Sequence, residues 1–557
     1  MPIESMDELY FLPLGGAGEI GMNLNLYGYR GKWLMVDLGV SFGEEGMPMI
    51  DVVMPDPGWI EAQREDLAGL VVTHGHEDHL GAVPYLWPRL RCPVYASPFA
   101  AAILAAKLHE AGLADQVPVH EIDLGGRFTV GPFDVELISL THSIPEPNAL
   151  AIRTGAGTIL HTGDWKFDPD PLVGGPPDRD ALRRLGGDGV LALIGDSTNV
   201  FTPGASGSEG EVRAALIDQV GRCTGKVAVA CFATNVARLE SVAIAAQMHD
   251  RNVALVGRSL WRIERAARKL GYLADIPPFL NDHDAAYLPD DKVLFLCTGS
   301  QGEPRAALSR IAADDHPHVT LGTGDTVIFS SRVIPGNEKA IFRLQNQLVR
   351  LGVELVTDRD APIHVSGHPA RDELTEMYQL VRPRIAIPVH GEARHIREHA
   401  ALARECQVSQ ALAIENGAMV RLAPGAAEVV HRVPTGRLGV DGMNDGVPRL
   451  VPVDGEMLRN RRRMVFNGSA VATVVLDAKG RLVGDPQLTA LGLLDAVHEA
   501  AHHDAVVEAV RDAIDDLPQG ARRDDGAVRE AARRAVRRTL KDLLGHKPVT
   551  DVHLVRV

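Results

Sequence analysis

Apolar and polar positions alternate in short runs along the first 200 residues, the pattern of strands separated by loops and short helices. Residues 10–14 (Tyr-Phe-Leu-Pro-Leu) read as a strand that runs into the glycine-rich stretch 15–23. The alternating stretch 23–27, a turn at Arg30-Gly31-Lys32 and the apolar run 33–37 then read as a hairpin. The glycine loop leads into a strand rather than a helix, which excludes a dinucleotide site there. Residues 67–72 (Leu-Ala-Gly-Leu-Val-Val) predict a buried strand, 93–96 a short strand and 99–111 a helix. Residues 128–130, 133–138 and 150–154 predict a largely antiparallel sheet.

From about residue 190 the alternation becomes more regular. Apolar runs at 190–194, 226–232, 252–256, 293–297 and 326–330 are separated by helical stretches, which predicts a parallel α/β sheet. Ligands of such sheets gather beyond the carboxyl ends of the strands. Those ends carry Phe232-Ala233-Thr234-Asn235, Gly257-Arg258-Ser259, Thr298 to Glu303 and Ser330-Ser331-Arg332. Small, hydroxyl-bearing and glycine-rich turns of this kind suit phosphate. Further on, Asp441-Gly442, Asp445-Gly446 and Pro448 mark a linker. A hairpin-like stretch follows (470–475 and 481–483), then helices at 487–516 and 527–544 and a last strand at 549–557.

Composition narrows the class. At 557 residues, 45% hydrophobic and 23% charged, the chain is globular and long enough for two to four domains. No apolar run is long enough to span a membrane, and the N-terminus lacks the order of a signal peptide. The five cysteines are scattered, which excludes a disulfide framework or thiolate zinc site and suits a reducing cytoplasm. The net charge of −16 does not exclude a nucleic acid, because a locally positive groove and metal ions suffice to hold phosphates.

The chemistry concentrates after the strand at 67–72, in Thr-His-Gly-His-Glu-Asp-His. In extended chain, residues two apart point the same way, so His74 and His76 can grip one ion. The following helical turn offers Asp78 and His79 to a second point. Imidazole and carboxylate are ligands for zinc or manganese. His142 and Asp164, at later strand ends, are further candidates, and Asp37 is expected to reach beneath the histidine loop and hold a ligand there. Two more histidine-bearing strand ends follow, at 363–368 (Ile-His-Val-Ser-Gly-His) and 385–392.

With His74-x-His76-x-Asp78-His79, His142 and Asp164 in order, the chain resembles the metallo-β-lactamase superfamily. Asp196 in Gly-Asp-Ser-Thr-Asn, His368 in His-Val-Ser-Gly-His and His390 in Pro-Val-His-Gly-Glu resemble the marks of the β-CASP nucleases. Three further runs, Gly-Gly-Ala-Gly-Glu-Ile-Gly-Met-Asn, Thr-Gly-Ser-Gln-Gly-Glu-Pro and Val-Ile-Pro-Gly-Asn-Glu, resemble the bacterial ribonuclease J family over nearly the whole length. Two places depart from it: threonine stands at 234 where relatives often have serine, and the basic run Arg459–Arg463 differs more.

The resemblance implies an α/β fold: an αββα metallo-β-lactamase sandwich, an inserted parallel α/β β-CASP domain and a small C-terminal α+β domain. The expected boundaries are 1–204 and 365–440 for the sandwich, 205–364 for the insertion, 441–465 for a linker and 466–557 for the last domain. It implies two divalent ions, zinc with manganese as the alternative. One would be held by His74, His76 and His142, the other by Asp78, His79 and His390, with Asp164 bridging. Asp78, Asp196 and His368 form the expected catalytic set, His368 protonating the leaving oxygen and Asp196 orienting a histidine.

Single-stranded RNA is the implied substrate. It would be cleaved 5′-to-3′ with preference for a 5′-monophosphate end, and also internally, in RNA maturation and decay. Ala233, Asn235, Ser331 and the loop His364-Val365-Ser366-Gly367-His368 would hold it. A structural calcium at Met49, Asp51 and Asp441, a homodimer or higher homo-oligomer, and contacts with other RNA-decay proteins are implied too. The competing readings are a small-molecule hydrolase of the same superfamily, which has no use for the insertion, and a non-catalytic RNA-binding protein, which has no use for a full ligand set.

Overall fold

The alternating runs of the first 200 residues pair into two facing sheets. In the computed structural model, which describes residues 7–43, 46–334, 336–444, 447–494 and 499–557, one sheet has eight strands. Their order is Glu428–Arg432, Ala418–Ala423, Leu9–Gly15, Leu24–Tyr29, Lys32–Val36, Leu67–Val71, Val94–Ala96 and Val119–Glu121. The other has seven, in the order Arg127–Val130, Phe133–Ser139, Asn148–Thr154, Gly157–His161, Ala192–Asp196, Ile385–Val389 and Gln410–Ala411. Phe11, Tyr27, Val36 and Val71 of the first pack with Val135, Ile152, Ile194 and Ile387 of the second in one buried core. A second core covers the seven-stranded sheet with helices Arg179–Asp188, Arg371–Val381 and Ala393–Glu405 through Leu182, Leu374, Met377 and Leu402. Strands from beyond residue 384 lie in both sheets, so the chain leaves this sandwich and returns to complete it.

The departure is a six-stranded sheet, parallel throughout, in the order Leu280–Asn281, Asn252–Val256, Val293–Cys297, Val227–Ala230, Thr326–Phe329 and Glu354–Val356. Its near-continuous apolar strands are what a sheet covered on both faces requires. One charged pair is sunk into this domain. Arg238 is fully buried and its guanidinium lies 3.0 and 3.1 Å from the Glu209 carboxylate oxygens. It also donates to the Ser330 carbonyl at 2.7 Å and the Ile363 carbonyl at 3.2 Å. The carboxylate in turn accepts from Asn235 Nδ2 at 3.1 Å. The three turns at 232–235, 330–331 and 363–368 are thereby tied to one ion pair.

Removing one member of a buried pair leaves the other charge unpaired, at a cost of about 3–5 kcal/mol. Arg238→Met is therefore expected to lower the calorimetric unfolding midpoint by at least about 5 °C. The double variant Arg238→Met/Glu209→Leu should recover part of that loss, because no lone charge remains.

Residues 42–53 and 436–557 form a second compact unit. The stretch 441–465, expected as a linker, is instead ordered: strands Arg437–Asn444 and Val447–Pro452 pair antiparallel and helix Glu456–Asn467 follows. Gly442, at φ 71°, sits in the irregularity of that pairing. The Asp-Gly punctuation marks a bulge there, not a break in structure; Asp445 and Gly446 lie outside the described residues. The Arg459–Arg463 run lies on the helix, where Arg461 holds Asp441 and Arg462 Nε donates to the Gly46 carbonyl at 2.8 Å.

The helix expected over 487–516 is shorter, Ala500–Asp515, preceded by the strand Gln487–Thr489, with residues 495–498 outside the described ones. The last strand, Val549–Arg556, pairs parallel to Ser469–Leu476. Val506, Val510 and Ile514 pack into the core of this unit with Val474 and Val536.

Candidate metal centre

The candidate ligands follow the ends of strands, in loops or, for Asp78 and His79, in the short helix that opens there. Residues 74–79 turn from the strand Leu67–Val71 into the short helix Glu77–Leu80. Two residues at the centre adopt left-handed backbone, Asp37 at φ 61° and His390 at φ 49°. Such residues cost roughly 1–3 kcal/mol and persist only where their surroundings hold them. The His390 N–H donates to the Gly16 carbonyl at 2.6 Å, so the glycine-rich loop reaches the centre by fixing a ligand's backbone.

His74, His76 and His142 converge on one point. His76 Nδ1 lies 3.1 Å from His74 Nε2 and 3.0 Å from His142 Nε2. The outer nitrogens are occupied: His142 Nδ1 donates to the Gly367 carbonyl at 2.6 Å, and His74 Nδ1 is 3.0 Å from Thr73 Oγ1. His76 Nε2 is 3.1 Å from Thr234 Oγ1. Burial and the neighbouring imidazoles hold His74 and His142 well below the usual histidine range. Burial likewise pushes His76 down to about 4. Three neutral rings thus turn lone pairs toward one another, an arrangement that fits a cation.

Asp78, His79, Asp164 and His390 form a second group. His79 Nε2 is 3.1 Å from Asp164 Oδ2, and His390 Nε2 is 3.2 Å from Asp78 Oδ2. Asp37 lies beneath the histidine loop, taking the His79 Nδ1 proton at 2.7 Å. Asp164 Oδ2 is also 4.0 Å from His74 Nε2 and 3.8 Å from His142 Nε2. One carboxylate therefore faces both groups. Its Oδ1 is buried without a hydrogen-bond partner, a costly state that a cation relieves. Burial opposes charge on His390, but Asp164 and the other carboxylates outweigh it and push the ring up to about 10. An ion entering this group displaces protons. Nitrogen and carboxylate donors in two adjoining sets fit two divalent ions.

A third set flanks them. His368 Nδ1 is 2.8 Å from Asp196 Oδ2, and Asp196 Oδ1 accepts from Thr198 N at 2.9 Å and Oγ1 at 2.7 Å. Thr198 Oγ1 lies 2.9 Å from His390 Nδ1. Burial resists charge on His368, yet the Asp196 carboxylate outweighs it and raises the ring's pKa.

The expected substrate residues lie on the turns tied to Arg238. Ala233 and Val365 are half-buried and Ser331 is buried at the end of the strand Thr326–Phe329. His364 Nδ1 is buried with no partner, and burial together with Arg238 and Arg332 lowers its pKa to about 3. Ser366 Oγ accepts from Asn199 Nδ2 at 2.7 Å. The Asn235 side chain is spent on the fold, capping helix Val236–Met248 and bonding Glu209. Thr73, Thr198 and Asn199 escaped the sequence reading. Their signal was present, hydroxyl and amide side chains next to ligand motifs, but such residues also crowd ordinary turns.

Gly367 is pressed against a ligand. A Cβ there would lie 2.5 Å from His142 Nδ1 and 2.7 Å from its Cε1. Gly367→Ala is expected to displace His142 and weaken one ion roughly tenfold or more, as loss of a ligand's supporting bond does. Metal analysis after dialysis would read it.

Asp441 does not offer itself to calcium. Its two oxygens lie 2.6 and 3.0 Å from Arg461 and one is 3.2 Å from Arg449, while Met49 is largely exposed. Guanidinium groups stand at both Asp441 oxygens where a cation would sit, an arrangement that does not fit that ion.

Comparison with known proteins agrees with this geometry. The family described as "Metallo-beta-lactamase superfamily" matches residues 23–217 and "Ribonuclease J, beta-CASP domain" matches 224–348. "Zn-dependent metallo-hydrolase RNA specificity domain" matches 359–411 and "Ribonuclease J C-terminal domain" matches 456–557. Ribonuclease J of Sinorhizobium meliloti is 45% identical over 557 residues, covering 99% of this chain and 98% of that one. Ribonuclease J of Thermus thermophilus is 37% identical over 531 residues, covering 91% of each. A crystal structure of a protein of unknown function from Enterococcus faecalis superposes with a TM-score of 0.51 at 14% identity, over 74% of this chain and all of that one, a likeness of fold alone.

Proposed function

The chain belongs to the ribonuclease J family and is a metal-dependent ribonuclease, and from that premise we propose that it removes nucleotides 5′-to-3′ from single-stranded RNA, prefers a 5′-monophosphate end and also cuts internally. The observation that carries this reading is the contact between the phosphate-suited turns and the metal ligands: Thr234 meets His76 and Gly367 meets His142. A 5′-phosphate held by those turns is close to the centre, as removal of short 5′ products requires.

Zinc is the proposed resident metal, with manganese the alternative; when bound, the two ions activate water and neutralise charge developing on the scissile phosphate. His368, whose pKa the Asp196 carboxylate raises, donates the proton that the leaving oxygen needs. Thr198 passes the hold of Asp196 on to His390. Ser331, His364 and Ser366 line the proposed phosphate site, His364 offering a neutral ring.

Among the described residues no helix is long and apolar enough to cross a membrane. A cytoplasmic location, a homodimer or larger homo-oligomer and contacts with other RNA-decay proteins belong to the same proposal, and light scattering reads the oligomer directly.

One RNA carrying a 5′-monophosphate, 5′-triphosphate or 5′-hydroxyl end, incubated with zinc or manganese, tests the reading. The monophosphate form should disappear fastest, into short 5′ products. Equal rates for all three ends would remove the 5′ preference, and an intact strand in either metal would remove the RNA substrate.

A further inference from the structure

We propose that Thr234 is a positioning residue for His76, and that with the Gly367 carbonyl it makes occupancy of the phosphate-binding turns and of the His74–His76–His142 ion group mutually dependent. The inference rests on the reading above only for the identity of the phosphate ligand.

A metal-binding imidazole uses one nitrogen for the ion, and the partner of the other nitrogen sets its tautomer and tilt. In this centre most partners come from the ligand's own neighbourhood. His74 is next to Thr73, and His79 donates to Asp37. His76 is different. It is only half-buried and stands in the turn before helix Glu77–Leu80. Its inner Nδ1 faces His74 and His142, and its outer Nε2 meets, among the described residues, one group, the Thr234 hydroxyl at 3.1 Å. That hydroxyl belongs to the inserted domain, on the turn after the strand Val227–Ala230.

His142 repeats the arrangement. Its outer nitrogen donates to the carbonyl of Gly367, in the loop that closes the insertion. Two of the three rings in this group are therefore aimed by the two turns that would receive a phosphate. Both turns hang on the Arg238–Glu209 pair, through Asn235 on one side and Ile363 on the other.

The chemistry sets the sign of the effect. A neutral imidazole carries one N–H. While Nε2–H is donated to Thr234 Oγ1, the lone pair is on Nδ1, where the ion would be. Without an oxygen at 234, the tautomer with Nδ1–H gains ground and puts a proton in the ion's place. A phosphate that binds the turns 232–235 and 363–368 in this arrangement stabilises the same contacts and so favours the ion-binding tautomer. By linkage the ion favours the phosphate by the same factor.

The test uses the full chain and reads metal affinity, not turnover. Zinc affinity is measured by competition with a chromophoric chelator, with and without uridine 5′-monophosphate, for the wild type, Thr234→Val and Thr234→Ser. The valine keeps the shape and loses the hydroxyl, and the serine restores the hydroxyl. Thr234→Val should bind one of its two zinc ions roughly 10- to 100-fold more weakly, while Thr234→Ser stays within about threefold of wild type. The nucleotide should tighten zinc binding by about fivefold or more in the wild type and the serine variant, and not in the valine variant. Equal zinc affinity in wild type and Thr234→Val, with matching thermal unfolding, overturns the positioning role. A nucleotide that leaves wild-type zinc affinity unchanged overturns the coupling. Because the zinc titration contains no RNA, an intact RNA strand after incubation with wild type overturns only the function proposed above.

Discussion

Asp164→Asn is expected to strip both ions from the centre and to slow RNA hydrolysis by roughly 10³-fold or more, at least about 4 kcal/mol of transition-state stabilisation. The substitution keeps the shape and removes the charge. Asp164 Oδ2 lies within 4.0 Å of ring nitrogens from both ligand groups, and Oδ1 is 3.6 Å from His390 Nδ1. No other described carboxylate is so placed; Asp78 reaches His79 and His390 only. An amide there gives two divalent ions no anionic bridge and turns an N–H toward one of them. Elemental analysis and single-turnover cleavage should fall together. Two ions retained with activity within tenfold of wild type would show that the groups bind independently and that Asp164 does not bridge.

The candidate ligand residues were legible because metal chemistry needs several unusual side chains in little sequence. Four appear within six positions at 74–79, and a chance loop seldom provides that. His142 and Asp164 were legible as strand ends once the first cluster gave them a purpose, and His390 through the family resemblance. The parallel insertion was legible from its apolar strands, which need no periodicity when both faces are covered.

What remained hidden was held by partners of ordinary type. Nothing in the sequence distinguishes Thr198 from other turn hydroxyls, Thr234 stood out only as part of a phosphate-suited turn and not as a neighbour of His76, and the role of Gly367 is a carbonyl contact with no side chain to announce it. Asn235 looked available for substrate, but its side chain closes a helix and a buried ion pair. The stretch 441–465 was misread because glycine and proline punctuate bulges and strand edges as readily as linkers. Asp441 is paired for a reason outside its own segment, an arginine 20 residues on that satisfies both its oxygens.

Asp196→Asn should separate proton delivery from metal binding. Asp196 touches no member of the His74–His76–His142 group; it reaches His390 of the second group directly at 3.6 Å and by way of Thr198, and stands within 4.8 Å of Asp164. Its short contacts are to His368 and Thr198. The variant is expected to keep both ions, bound no more than roughly tenfold to a hundredfold more weakly. Its turnover at saturating metal should fall roughly 10²–10⁴-fold, the scale of losing a positioned acid or of misorienting a catalytic imidazole. An asparagine amide facing His368 Nδ1 can present an N–H where the carboxylate accepted one, so it favours the wrong tautomer and withdraws the charge that keeps the ring protonated. A leaving oxygen that needs no proton bypasses this defect. With a 5′-phosphate left on the remaining RNA the leaving oxygen is the 3′-bridging one, so an RNA with a 3′-bridging phosphorothiolate at the scissile bond, whose sulfur leaves unprotonated, should be cut by Asp196→Asn at nearly the wild-type rate and should not rescue Asp164→Asn. If the sulfur substrate rescues neither variant, Asp196 acts on the ions through His390 and His368 is not the acid.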